Sequence, residues 1–202
     1  MMLKWMLCGT LVTLSSVVSA KTLPCGEPNV ENVEKIESKL YKFVISQTCQ
    51  VEKSTEWTDL KAGMTKVLKE NGVIRQTQTD VTHQEMTGVK MDYFENEADT
   101  GHGKIAVRYD LYLVGNENRV LLAASSTKIK ATSHAENTKK VGLTVDYMKN
   151  DQGVTTLKVT KDIDVKRPWI APESVFRDQS ILGITKDLKR IVKQQEEMID
   201  EL

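Results

Sequence analysis

The spacing of apolar residues changes period for the last time at Arg167-Pro168-Trp169-Ile170-Ala171-Pro172, and that change limits the folds open to the chain. Upstream, hydrophobic and polar residues alternate. Residues 104–114 show it most plainly: Ile105, Val107, Tyr109, Leu111 and Leu113 share one phase, with Lys104, Arg108 and Asp110 in the other. Such alternation puts successive side chains on opposite faces of a half-buried strand. Downstream, Ile181, Ile184, Leu188, Ile191, Val192, Met198, Ile199 and Leu202 recur as one stripe of a 3.6-residue helix. Lys186, Lys189, Arg190, Lys193, Glu196 and Glu197 make its wet side. A helix from about residue 173 to the end must bury that stripe, and only a sheet built from the strands is large enough to receive it. Gly183 inside the helix costs about 1 kcal/mol relative to alanine and marks a kink or a close approach to the sheet.

The alternating region divides at its turns. In residues 40–51, Tyr41, Phe43, Ile45, Cys49 and Val51 share a face, with Lys42, Ser46, Thr48 and Gln50 mainly opposite. Ser54-Thr55 then offers N-cap oxygens, Trp57, Leu60, Met64, Val67 and Leu68 follow at helical spacing, and Asn71-Gly72 suits a C-cap. Residues 73–86, polar and rich in Thr, Val and Gln, predict one or two edge-like strands. Another spans 89–94, closed by the acidic turn of residues 95–101. Gly115-Asn116-Glu117-Asn118 predicts a hairpin into a strand over 119–131. Val141, Leu143, Val145 and Tyr147 mark the next, and Asn150-Asp151-Gln152-Gly153 turns the chain into a last strand over 154–165. Consecutive strands joined by short turns form an antiparallel meander. Residues 21–30 are turn-rich, and the charged residues 30–38 are read as a short helical turn.

Residues 1–20 have the three parts of a cleavable secretory leader. Lys4 supplies the positive charge, residues 5–14 an apolar run, and Val18-Ser19-Ala20 the small residues before a cut at Lys21. The run gives way at Ser15-Ser16, short of the roughly 20 apolar residues a spanning helix needs, so no transmembrane segment is expected after cleavage. Neither Cys8 nor Cys25 follows the residues of a lipoprotein cut. The chain is thereby expected in the periplasm or outside the cell. What remains is one domain's length, enough to bury a core. The 28 basic and 28 acidic residues balance, and losing Lys4 tips the sum by one charge to the acidic side. Nothing there favours a nucleic acid or another polyanion. Cys25 and Cys49 survive cleavage and, in an oxidising compartment, are expected to pair, the alternative being two buried thiols.

No motif announces a reaction. His83, His102 and His134 lack paired metal-ligand spacing, and neither a G-x-S-x-G elbow nor a phosphate loop is present; Gly101-His102-Gly103 reads as a turn. Asp92, Asp110, Asp146, Asp162 and Asp164 are read as outward strand charges beside Lys and Arg, a pair meeting inside being the other possibility. Met64, Met86, Met91, Met148 and Met198 fit a plastic apolar pocket or ordinary core filling equally well.

The order of elements resembles the START-like, or SRPBCC, superfamily over about residues 38–202. Ser54-Thr55-Glu56-Trp57-Thr58-Asp59-Leu60 is similar to its helix start after the first strand, and residues 167–193, with Pro172 and Asp187-Leu188-Lys189, to its terminal segment. The resemblance implies an α+β helix-grip fold: a curved antiparallel sheet wrapped around a long C-terminal helix, with a short helix region after the first strand. It carries no catalytic residue over, and export departs from many relatives. The division expected is a leader over 1–20, a surface segment over 21–37 and the START-like domain over 38–202. In such a fold Tyr109, Leu111, Leu113, Leu143, Val145, Leu157 and Val159 would floor an interior lidded by Ile181, Ile184 and Leu188. Tyr93, Tyr109 and Tyr147 would orient a ligand there. The same inward faces also fit a filled core. The expected activity is binding or carriage of a lipid or other hydrophobic small molecule, without enzyme chemistry, cofactor, metal or nucleic acid. The alternative is a module that binds a partner protein in the envelope or extracellular space.

Overall fold

The computed structural model describes residues 23–52, 55–99 and 103–202; the expected leader, Cys8, Ser54, Gly101 and His102 lie outside them. The strands are β1 (Asn29–Lys35), β2 (Leu40–Val51), β3 (Gly72–His83), β4 (Met86–Glu95), β5 (Ala98–Asp99), β6 (Lys104–Asn116), β7 (Arg119–Ala131), β8 (Thr138–Lys149) and β9 (Thr155–Lys166). Helix α1 (Trp57–Asn71) lies between β2 and β3, a 3₁₀ turn (Ser133–Asn137) between β7 and β8, and α2 (Glu173–Glu201) ends the chain.

The strands form one sheet in the order β1-β2-β9-β8-β7-β6-β4-β3, with the short β5 paired to β6. Every pairing is antiparallel. From β2 the chain crosses to the far edge through α1, then meanders back until β9 pairs with β2. Bulges at Thr127 between β6 and β7, at Lys139 between β8 and β9, and at Arg75 and Asp80 on β3 interrupt the ladders. Each extra residue bends its strand and adds twist, so the long strands curve. α2 packs against β2, β9 and α1, laying its stripe into the concave face. Phe43, Leu113, Leu157, Val159 and Leu188 are completely buried there. This is the helix-grip architecture expected from the sequence. A smaller apolar cluster of Met86, Val114 and Leu121 sits on the outer face with Tyr112 and Val81.

Four local features differ from the sequence reading. Residues 29–35 form a strand, not a helical turn. Their charges suit a helix in isolation, but the open edge of β2 supplies hydrogen-bond partners, and Glu31 takes both the Ser46 hydroxyl and Lys158. α1 starts behind Glu56 with no side-chain cap, and the Thr55 hydroxyl is buried without a partner. Gly72 ends α1 in extended rather than left-handed backbone because it opens β3 at once. Its lack of a Cβ is still needed: an added Cβ would meet the Phe94 carbonyl oxygen and stand 2.6 Å from the Tyr93 hydroxyl. Gly183 lies in an unbroken α2 with open space beside it, so it marks no approach to the sheet. The close approach is at Gly63 of α1, where an added Cβ would stand 2.8 Å from Met198 of α2.

Candidate ligand site on the concave face

The register aligns inward side chains in rows across the sheet. One row runs Gln47, Val159, Val145, Leu122, Leu113, Val89; the next runs Ile45, Lys161, Leu143, Ala124, Leu111, Met91. A third joins Phe43, Ile163 and Val141, and continues through Ser126, Tyr109 and Tyr93. Ten of the twelve residues expected to line the interior are buried in one continuous cluster: Tyr93, Tyr109, Leu111, Leu113, Val145, Tyr147, Leu157, Val159, Ile184 and Leu188. Leu143 and Ile181 pack against that cluster but are only half-buried. They share this state with Ile105, Ile129, Ile163 and Val165. The concave face is thus closed toward Leu157 and Leu113, and partly open toward the ends of β6, β7 and β9. Hollows of about 450 and 650 Å³ lie elsewhere, between α1 and α2 and on the outer side of α1, and none of the twelve lines either.

Polar groups enter this interior at several points. The Tyr109 hydroxyl donates to Glu95 at 2.9 Å. Burial raises the Tyr109 phenol well above its ordinary range, and the nearby Glu95 charge adds to the shift. Burial likewise raises Tyr93 and Tyr147. The Tyr147 hydroxyl donates to Gln195 at 3.1 Å. The Tyr41 hydroxyl is buried with no partner. One point is ionic: Lys161, on the inward phase of β9, donates to Oδ2 of Asp187 at 2.5 Å. Arg190 donates to Oδ1 of the same carboxylate through Nε at 3.1 Å and Nη2 at 2.8 Å. Burial alone would raise the Asp187 carboxyl, but Lys161 and Arg190 outweigh it and hold the group below its ordinary range.

Sequence reasoning passed over Lys161, Asp187, Glu95 and Gln195 as interior groups. The signal was present: Lys161 is in phase with Leu157, Val159 and Ile163, and Asp187 lies one turn from both Ile184 and Ile191. The five aspartates singled out earlier all point to the outer face, opposite in phase to the buried rows. Asp92 pairs with Arg108, Asp110 with Lys90, Asp146 with Arg119, and Asp162 with Lys42 and Lys140. Asp164 is raised by burial and by the Asp162 charge. The methionines do not converge: Met64, Met91 and Met198 belong to the main core, Met86 to the outer cluster, and Met148 is exposed. His83 stacks on Tyr112 with centroids 4.4 Å apart, and His134 falls in the 3₁₀ turn. Among the described residues no group of His, Cys, Asp and Glu is arranged to hold a metal ion. Nor is any helix among them long and apolar enough to cross a membrane.

Cys25 and Cys49 are joined by a disulfide, S–S 2.11 Å. Gly26 N–H donates to Thr48 and Gln50 N–H to Pro24, so the N-terminal segment runs beside the end of β2. Leu23 N–H donates to Glu196 at 2.9 Å, tying the same segment to α2.

A curved antiparallel sheet holding its C-terminal helix in the concave face is a helix-grip fold. No family model matches the chain, and no curated protein matches it. Among solved structures it is similar to a START superfamily protein from Mycobacterium smegmatis, at 11% identity over 78% of this chain and 97% of that one, TM-score 0.44. It is also similar to the Zhui aromatase/cyclase from a Streptomyces species, at 12% identity over 79% and 93%, TM-score 0.42. Human StAR-related lipid transfer protein 5 matches at 6% identity over 84% and 86%, TM-score 0.40. The fold assignment stands on the strand order and the position of α2.

Proposed function

We propose that this chain, after export and loss of residues 1–20, binds a hydrophobic small molecule or lipid between α2 and the concave face of the sheet. The observation that carries the reading is the set of inward apolar side chains left half-buried at one end of the interior: Ile105, Ile129, Leu143, Ile163, Val165 and Ile181. Apolar surface facing inward yet still wet is stabilised by a ligand that dries it, at roughly 25 cal/mol per Å². Admission requires the N-terminal half of α2, or the segment between β9 and α2, to move aside. Binding rather than catalysis fits the carboxylates, since four of the five strand aspartates engage outer-face cations and Asp187 is engaged by two cations. The disulfide supports an oxidising compartment. The test is native mass spectrometry of protein purified from its export compartment, followed by solvent extraction. A stoichiometric apolar adduct is expected; a bare mass that persists after incubation with a total lipid extract would overturn the reading.

A second reading, a module that docks a partner protein, is favoured by one feature. Trp169 is 81% exposed and Ile170 70% exposed on the stiff segment between Pro168 and Pro172, with Val175 and Ile36 also exposed. Aromatic side chains held rigidly in water are common anchors of interfaces. Crosslinking in the native compartment that depends on Trp169, together with a bare mass, would move the assignment to this reading.

A further inference from the structure

We infer, on the binding reading above, that the Tyr41 hydroxyl receives the polar end of the bound molecule, and that this end is a carbonyl-type oxygen, a hydrogen-bond acceptor. Tyr41 is 1% exposed and belongs to the main core, and among the described residues its hydroxyl has no hydrogen-bond partner. The Tyr109 and Tyr147 hydroxyls, which are just as interior, already donate to Glu95 and Gln195. A buried donor left unpaired destabilises the fold that holds it, and such groups are rare enough in folded proteins to require a cause. A ligand oxygen that accepts from Tyr41 supplies one.

The hydroxyl stands at the open end of the interior. Tyr41 lies opposite Val165 across the β2–β9 ladder, and Phe43, next in phase, lies opposite Ile163. Val165 and Ile163 are two of the inward side chains left half-buried, so a molecule that dries them lies against Tyr41. A second unpaired donor stands at the same end. Arg167 follows Val165 by two residues, its N–H donates to the Lys39 carbonyl and its Nη1 to that of Ala171, and its Nε is buried without a partner. Charge does not select the polar end here: Lys35, Lys39, Lys166 and Arg167 are matched by Glu34, Glu37, Asp164 and Glu173. Lys35 is exposed, its ammonium 5.8 Å from the centroid of the Tyr41 ring. Hydrogen bonding is what remains unsatisfied, and an oxygen acceptor answers it.

The space for the ligand is the place that Phe176 fills. Its ring meets Tyr41 edge-on with centroids 5.3 Å apart, and Phe43 at 5.9 Å. From Glu173 to Gly183 it is the one buried side chain of α2, whereas seven are buried from Ile184 to Ile199. A stretch held by a single side chain opens more readily than one held by many. Lifting the first turns of α2 draws Phe176 away and leaves a slot the size of a phenyl ring, walled by Tyr41 and Phe43. The apolar part of the ligand occupies that slot and runs over Ile163 and Val165, with its oxygen at the Tyr41 hydroxyl.

The experiment uses the exported, disulfide-bonded chain loaded with the neutral fluorescent probe N-phenyl-1-naphthylamine. The probe is displaced by 2-octanone or by its isostere 2-methyl-1-octene, in which a CH2 group stands in place of the carbonyl oxygen. Tyr41→Phe removes the hydroxyl and keeps the ring. It is expected to weaken displacement by the ketone about fivefold, the equivalent of one neutral hydrogen bond, and to leave the alkene unchanged. Without ligand, Tyr41→Phe is expected to melt at or above the temperature of the parent, because it deletes an unpaired donor. A lower melting temperature reveals a hydroxyl already satisfied, by a buried water for instance, and overturns the inference. A ratio of ketone to alkene potency that Tyr41→Phe leaves unchanged also overturns it, while probe uptake upholds the binding reading. Failure of the native chain to take up the probe removes the binding reading and the inference together.

Discussion

Replacing Leu188 by alanine tests whether α2 is packed into the sheet as described. Leu188 is fully buried in the main core, one turn beyond Ile184 and beside Asp187. Truncation loses the transfer free energy of the removed carbons and leaves a cavity in a cluster whose fully buried members cannot readily fill it. For such sites the loss is about 3–5 kcal/mol. Leu182, six residues earlier on the same helix, is 63% exposed, and its truncation should change stability by no more than about 0.5 kcal/mol. Helix propensity treats the two substitutions alike, so their difference isolates packing. The assay is urea unfolding followed by far-ultraviolet circular dichroism and tryptophan fluorescence, with the two probes required to coincide. The midpoint of Leu188→Ala should fall with an unchanged slope, and that of Leu182→Ala should stay near the parent's. Equal losses at the two positions, or a loss at Leu188 under about 1 kcal/mol, would refute the placement of α2 in the concave face.

Other outcomes follow from single features. Cys25 and Cys49 are 24 residues apart, so replacing both by serine should cost about 3 kcal/mol, and the parent should show no alkylatable thiol from either until reduced. Asp187 is held low in the folded state, so its contribution is present above the ordinary aspartate range and is lost as pH falls through the folded value; Asp187→Asn should flatten the acid limb of a stability–pH curve. Asp164 has the opposite sign: its folded value is raised, its stabilisation is lost as pH rises through that value, and Asp164→Asn should leave stability at neutral pH equal or higher. Gly183→Ala, in open space within α2, should stabilise by up to about 1 kcal/mol, whereas Gly72→Ala should destabilise because its Cβ meets the Phe94 carbonyl and the Tyr93 hydroxyl; thermal melts of the two variants check both signs.

The sequence resolved phase, and phase is local. Alternation in residues 104–114 names Tyr109, Leu111 and Leu113 as inward with no knowledge of what they face, because successive side chains on a strand must point to opposite sides. The stripe from Ile181 to Leu202 likewise names the buried side of α2, since a helix repeats every 3.6 residues wherever it lies. Where the chain reads as strand or helix by its own pattern, the element formed. Where a neighbour supplied the decisive hydrogen bonds, as β2 does for Asn29–Lys35, the local reading failed.

What the tertiary structure alone decided is which phases meet. That β9 closes against β2, and that Asp187 comes to rest on Lys161, depends on contacts between residues far apart in sequence, and no short-range pattern encodes such a distance. The half-buried rim from Ile105 to Ile181 is of the same kind. Each of those side chains reads as ordinary core by its spacing, and only the sheet's curvature and the line taken by α2 leave them partly in water. The sequence thus determined the walls of the interior, because a side chain's facing follows from its own few neighbours. The structure decided where that interior is closed, where it is open and where its charge sits, because those depend on how distant walls come together.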